Sequence, residues 1–248
     1  MTPDEPGRPF GPGAQWLRQA GQRPDVPPGA RLVIVGASGH GRDVLDAAEA
    51  DGRYEVLGLV DDGPVDQALL ARRQARFLGP VAELEHLDAR YVLAVGAGAT
   101  RRLLDERLTA WGRHAGFVVH PSATFGADVL VHPGLVALAG ARVTNHVWLG
   151  RHVHLNLNAT AAHDVRLGGY VTLNPGANVN GNVSVDEEAS IGSNASVNQG
   201  RTVGAGTYVG AGAVVVGDLP PDVTAVGVPA VPRRPNLPSA AGPRTTTT

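Results

Sequence analysis

VWLGRHVHLNLNATAAHDVRLGGYVTLNPGANVNGNVSV, residues 147–185, is the stretch on which the fold turns. Its apolar residues Leu149, Leu155, Ala161, Leu167, Leu173, Val179 and Val185 stand six apart. The same register runs without a slip from Val119 to Pro220, through Phe125, Val131, Ala137 and Val143 on one side and Ile191, Val197, Val203, Val209 and Val215 on the other. Four residues after each comes a second, smaller inward position, which is Ala, Val or Leu except at Arg201 and Thr207, with Gly, Asn, Asp and Pro crowded between. A fixed short period is the mark of a solenoid, whose units bury their apolar residues only by stacking on one another. Six residues with one large and one small inward side chain fit a flat strand and a tight turn. Three such units make a triangular coil of 18 residues, and the 17 hexads give nearly six coils. At ~4.8 Å per coil the prism is roughly 27 Å tall. The expected domain is a parallel β-helix.

The remaining sequence divides into three parts. The first fifteen residues are acidic and rich in Pro and Gly, and residues 1–29 read as a disordered arm in which Trp16 and Leu17 could anchor a portion. Residues 232–248, ending in four threonines, read as a disordered tail. Residues 30–117 carry an α/β pattern, and 118–231 carry the hexads. The 248-residue chain has a net charge of −2, which gives no electrostatic case for nucleic acid or an anionic membrane. It contains no Cys, so a thiolate nucleophile and a Cys-bound zinc are excluded. Nothing near its start reads as a signal peptide and no apolar run is long enough to span a bilayer, so the expected location is the cytoplasm.

In the α/β part, Arg31–Val35 (RLVIV) reads as a buried parallel strand and runs into Gly36-Ala37-Ser38-Gly39-His40-Gly41. A helical segment follows from Arg42 to Ala50. A second strand, Val56–Val60, ends at Asp61-Asp62, and a third, Tyr91–Val95, ends at Gly96-Ala97-Gly98 before a helix over Thr100–Trp111. This Rossmann-like βαβ arrangement binds nucleotides at the C-terminal ends of its strands. Glycines let a backbone approach a ligand, a helix N-terminus favours phosphate, and a carboxylate after the second strand is where a ribose is often held. The spacing is G-x-x-G-x-G, not the dinucleotide pattern, so a nucleotide other than NAD and a plain tight turn both remain open.

GASGHG after the first strand, Asp61-Asp62 after the second, HPSA at His120–Ala123 opening the hexads and Gly227-Val228-Pro229-Ala230 closing them form an ordered set. In that set, over about residues 31–231, the chain resembles bacterial sugar O- and N-acetyltransferases of the left-handed β-helix (hexapeptide repeat) superfamily. The branch it is similar to is the NeuD-like family, which includes N-acetyltransferases of nucleotide-linked 4-amino sugars. The resemblance implies a left-handed prism, a homotrimer, and acetyl-CoA bound in grooves between neighbouring prisms, with no metal.

The resemblance also implies a His–acid pair at a coil corner as the base, and His163-Asp164 match it. An imidazole of ordinary pKa near 6.5 can take a proton from an attacking amine or hydroxyl, and a carboxylate can fix its tautomer. Gly181 lies 18 residues after His163, hence at the same corner one coil on, where the family uses a glycine N–H to polarise the thioester carbonyl. By the same rule His146 stacks below Asp164, and His154 below Thr172. His152 and His154 could suggest a metal, but strand alternation points them to opposite faces. Acetyl-CoA is expected along the later coils, at Gly192, Gly204, Gly206, Gly210 and Gly212, with Arg201 toward a phosphate. Ser38, Gly39, His40, Asp61 and Asp62 match the positions that hold the nucleotide sugar. One departure is Thr172, in GGYVTLNPGA (168–177), where many relatives carry a second His. The activity implied is acetyl-CoA-dependent N-acetylation of a nucleotide-activated 4-amino sugar, by direct transfer. The alternatives are O-acetylation of a sialic-acid-type sugar and a catalytically silent sugar-nucleotide-binding scaffold.

Overall fold

The computed structural model describes residues 12–235. The α/β unit is a four-stranded parallel sheet in the order β4-β3-β2-β5, built from β2 (Arg31–Val35), β3 (Glu55–Val60), β4 (Phe77–Gly79) and β5 (Arg90–Leu93), with β1 (Gln15–Leu17) lying apart on the prism. β2 is buried on both faces, which is why its residues after Arg31 are apolar without alternation. Helix α1 (Gly39–Asp51) follows β2 and ends at Gly52, whose left-handed φ of 68° closes it. Helix α2 (Gln67–Arg72) is short, and helix α3 (Gly98–Ala110) follows β5.

The hexads form a parallel β-helix of three faces. The first face stacks strands at 118–119, 136–137, 154–155, 172–173, 190–191 and 208–209; the second at 124–125, 142–143, 160–161, 178–179, 196–197 and 214–215; the third at 129–131, 147–149, 166–167, 184–185 and 202–203. Each strand pairs with the one 18 residues on, as in His154 with Thr172. The inward residues of both kinds form one core. Of the two exceptions, Thr207 is buried and its hydroxyl donates to the Pro220 carbonyl at 2.7 Å, while Arg201 is half-buried and leaves the core.

The turns share one backbone device. At the fourth place of every hexad from Asp128 to Gly212 the residue has positive φ, whether it is Asp, Asn, His, Tyr, Glu or Gly. Asn, Asp and Gly dominate these places because they enter the left-handed region at least cost. The sequence's crowding of those residues between apolar pairs is thus the imprint of the turn.

Residues 12–29 are not a free arm. β1 pairs antiparallel with Val129–Val131, and Leu17 is fully buried in the prism core. A strand with that much apolar burial stays down, so the anchoring read at Trp16 and Leu17 is β-sheet pairing. Val231–Pro235 likewise pairs with Val223–Val226 at the far end. Residues 1–11 and 236–248, the rest of the arm and tail expected from sequence, lie outside the described residues.

The α/β unit docks on the first face. Val44, Leu45, Ala47 and Ala48 of α1 share a cluster with Val118, Val136 and Leu138. From α3, Arg101 is fully buried, donating to the carbonyls of Val95 and Gly96 (both 2.8 Å), His152 (3.2 Å) and Tyr170, and to Thr172 Oγ1 at 2.9 Å. Burial brings its guanidinium down to about 9, still protonated at neutral pH. One turn on, Asp105 accepts from Arg151 Nε (2.5 Å) and Nη2 (2.6 Å), Tyr170 Oη (2.7 Å) and Tyr91 Oη. Burial opposes its charge, but hydrogen bonds from His152, Arg151 and Tyr91 hold the carboxyl well below the usual range. His152 is buried between the rings of Tyr91 and Tyr170, each 5.8 Å away.

This interface is expected to be sensitive to acid. Burial lowers the pKa of His40 and His152, and lowers that of His154 further with help from Arg101. A group that resists protonation when folded leaves stability intact above its unfolded pKa of about 6.5, and stability falls as the pH drops below it because the unfolded chain takes up the proton. Each such histidine removes up to ~1.4 kcal/mol per pH unit in that range. The melting temperature is expected to be flat near pH 8 and to fall steeply between pH 6.5 and 5. A flat profile across that window would contradict the burial of His152 and His154 and the half-burial of His40.

Candidate active site

His163 and Asp164 lie in the turn between the strands at 160–161 and 166–167, on the edge between the second and third faces. That edge is opposite the face on which the α/β unit docks. His163 Nδ1 is 2.7 Å from Asp164 Oδ2, so the carboxylate next in the chain does turn toward the imidazole. Asp164 Oδ1 is 2.6 Å from His146 Nδ1, one coil below. Hydrogen bonds from His146 and His163 hold the Asp164 carboxyl below its ordinary value. Asp164 has φ 61°, and this left-handed backbone is what carries its side chain back past His163.

Gly181 packs against the imidazole from the coil above. A Cβ built on Gly181 would lie 2.4 Å from His163 Cε1 and 2.5 Å from Nε2, so only a glycine lets the ring rest where it does. The Gly181 N–H makes no hydrogen bond among the described residues. A base whose tautomer is set by a carboxylate, next to an unengaged backbone donor, is equipped for acyl transfer.

The residues expected along the later coils have separate packing reasons. A Cβ at Gly192 would meet Val209 O at 2.5 Å, one at Gly204 Pro221 N at 2.4 Å, and one at Gly210 Val226 Cγ1 at 2.7 Å. Gly206 and Gly212 occupy left-handed fourth places, with φ of 66° and 67°. These glycines are therefore required by coil stacking and turn geometry. Arg201 places Nε 3.4 Å from the Gln199 carbonyl.

In the α/β unit, Gly36 has φ 112°, and a Cβ on Gly41 would lie 2.1 Å from Gly36 O, so both serve the tight turn. Gly39 differs: a Cβ there would meet only Arg42 Nη2, at 3.9 Å. Ser38 and Gly39 are exposed at the start of α1, which has no side-chain cap and no acid in its first turn. Asp61, expected toward a ribose, accepts from Ala37 N at Oδ2 (2.7 Å) and from Gly63 N at Oδ1 (2.8 Å). Asp62 accepts from Val81 N at 2.8 Å and pairs with Arg107 at 3.3 Å. Both carboxylates brace loops. His40 Nε2 is 3.2 Å from Nδ1 of His154, which is buried beside Thr172. Thr172, where the resemblance leads one to expect a second His, accepts from Arg101 and donates to the Gly96 carbonyl at 3.2 Å.

Arg101 and Asp105 went unread in the sequence. They occupy, with Leu108, the inward stripe of α3, and a charged pair four apart on an otherwise apolar stripe is the available signal. Among the described residues no group of three or more His, Asp or Glu is arranged to hold a metal, and no helix is long and apolar enough to cross a membrane.

An α/β nucleotide-type unit on a β-helix whose edge carries a His–carboxylate pair defines an acyltransferase. The PglD N-terminal domain family matches residues 31–108. The chain is 28% identical over 158 residues, 60% of its length and 69% of the relative's, to a GDP-perosamine N-acetyltransferase from Escherichia coli O157:H7. The acetyltransferase domain of PglB from Neisseria gonorrhoeae FA1090, solved with acetyl coenzyme A, is 34% identical, with TM-score 0.76 over 83% of this chain and 100% of that one. PerB from Caulobacter crescentus, solved with CoA and GDP-perosamine, is also 34% identical, with TM-score 0.77 over 83% of this chain and 98% of that one. The chain belongs to the bacterial sugar acetyltransferases of the left-handed β-helix superfamily, in the branch with a PglD-type N-terminal domain. It is an acetyltransferase.

Proposed function

We propose that this protein transfers the acetyl group of acetyl-CoA to the amino group of a nucleotide-activated 4-amino sugar, with His163 as general base. The observation that carries the reading is the His163–Asp164 pair resting on Gly181. His163 Nε2 accepts a proton from the amine as its nitrogen attacks the thioester carbonyl. The Gly181 N–H faces the developing oxyanion, an interaction of ~3 kcal/mol. Collapse expels the CoA sulfur, which takes the proton as thiol, leaving an amide. No enzyme nucleophile is required, which suits a chain without Cys.

The acceptor class is supported by relatives solved with CoA and GDP-perosamine, PerB among them, including variants with one histidine replaced by asparagine or alanine. The open space above Gly39 and the uncapped start of α1 suit a diphosphate. That nucleotide site and His163 lie on opposite sides of one prism. A substrate held by one copy's α/β unit therefore reaches the His163 of another copy, which supports a homotrimer with acetyl-CoA between prisms. Both co-substrates are cytoplasmic metabolites, so the enzyme is read as cytoplasmic.

The test is thiol release from acetyl-CoA against UDP-, dTDP- and GDP-linked 4-amino sugars. Turnover with one of them is expected. Turnover only with hydroxyl acceptors would move the reading to O-acetylation, and no binding of acetyl-CoA would overturn it.

A further inference from the structure

We propose that His146 is a positioning residue of the transfer site: by holding one oxygen of Asp164 from the coil below, it fixes the carboxylate that orients His163. This rests on His163 acting as the base. The two oxygens of Asp164 are divided between two imidazoles, His146 Nδ1 on Oδ1 at 2.6 Å and His163 Nδ1 on Oδ2 at 2.7 Å. An ionised carboxylate only accepts, so both histidines present N–H at Nδ1, and in the neutral ring the lone pair is then at Nε2. For His163 that lone pair is the one the reaction needs.

The Asp164 side chain is 44% exposed. One hydrogen bond between exposed neighbours leaves a carboxylate free to turn about its own bonds, and such pairs contribute little. A second bond, on the other oxygen and from a different coil, removes that freedom. The backbones beneath are rigid: His146 N donates to Ala127 O at 3.2 Å and Asp164 N to Asn145 O at 3.3 Å. The fold asks only for a residue tolerating φ near 54° at position 146, and the equivalent places above and below Asp164 and His146 are met by Asn182 and Asp128. What histidine adds there is a ring that reaches Oδ1. The other charges on this edge are remote in role, since Asp128 is paired with Arg18 at 2.9 Å.

Two substitutions keep the left-handed backbone. His146→Gly deletes the donor; His146→Asn retains an amide N–H close to where Nδ1 stands. His146→Gly is expected to lower kcat about tenfold, the scale of one hydrogen bond to a charged group, with KM for both substrates unchanged and melting temperature preserved. His146→Asn is expected to recover most of the rate. Unchanged kcat in His146→Gly overturns the proposal, and so does an equal loss in both variants accompanied by a lower melting temperature. His163→Asn is measured beside them. If it is inactive while His146→Gly is unimpaired, only the role of His146 falls; if His163→Asn is fully active, the base reading falls and this inference with it.

Discussion

His163→Asn is expected to lower kcat by about 10²–10⁴-fold and to leave the folded state as stable as the parent. Asparagine offers an amide N–H in roughly the place of Nδ1, so the contact with Asp164 survives while the basic nitrogen is gone. The His163 side chain is 53% exposed and belongs to no apolar cluster, so its removal opens no cavity. Catalysis and stability should therefore separate cleanly. Steady-state kinetics with acetyl-CoA and a nucleotide amino sugar, alongside a thermal melt, reads both. A variant within a few-fold of the parent rate would remove His163 from the mechanism.

Gly181→Ala tests the placement of the base without touching its chemistry. The new methyl would lie 2.4 Å from His163 Cε1 and 2.5 Å from Nε2, closer than any real contact. The obstructing atoms are the end of a flexible, half-exposed side chain, and Gly181 does not have the positive φ that would strain alanine. The ring swings toward solvent at little cost to folding. Because a displacement of about 1 Å can cost ~10²-fold, the rate is expected to drop by about that factor while the Gly181 N–H and the melting temperature are retained. Full activity in this variant would mean that the imidazole does its work from another position.

The prism was legible because each coil's burial is written locally. The decisive places are the inward pairs such as Leu155 with Ala159 and Leu167 with Val171, which recur at a fixed count, stack into one core and keep register by simple counting. The eighteen-residue rule also put His146 under Asp164 and Gly181 beside His163, and both pairs meet in the structure. What counting could not give is direction: whether Asp164 faces its neighbour depends on a left-handed φ and a side-chain rotamer. The docking face was opaque for a different reason. Its polar groups are satisfied by partners far along the chain, as Arg101 is by residues 152 and 170–172, and a buried charge so satisfied looks in sequence like a surface one. Asp61 is legible as a carboxylate after the second strand, but that the backbone amides of Ala37 and Gly63 hold its two oxygens depends on loop geometry that counting does not give.

The uniform left-handed turn from Asp128 to Gly212 makes this protein behave as a ruler with interchangeable graduations. An insertion or deletion of one whole coil leaves every later residue on its own face and edge, altering only the height at which the chain ends. Loss of a single residue rotates all that follows, sending inward valines to the corners and turn residues into the core. Length variation among such proteins should accordingly come in steps of eighteen, and changes of one or two residues should be confined to the α/β unit and the ends.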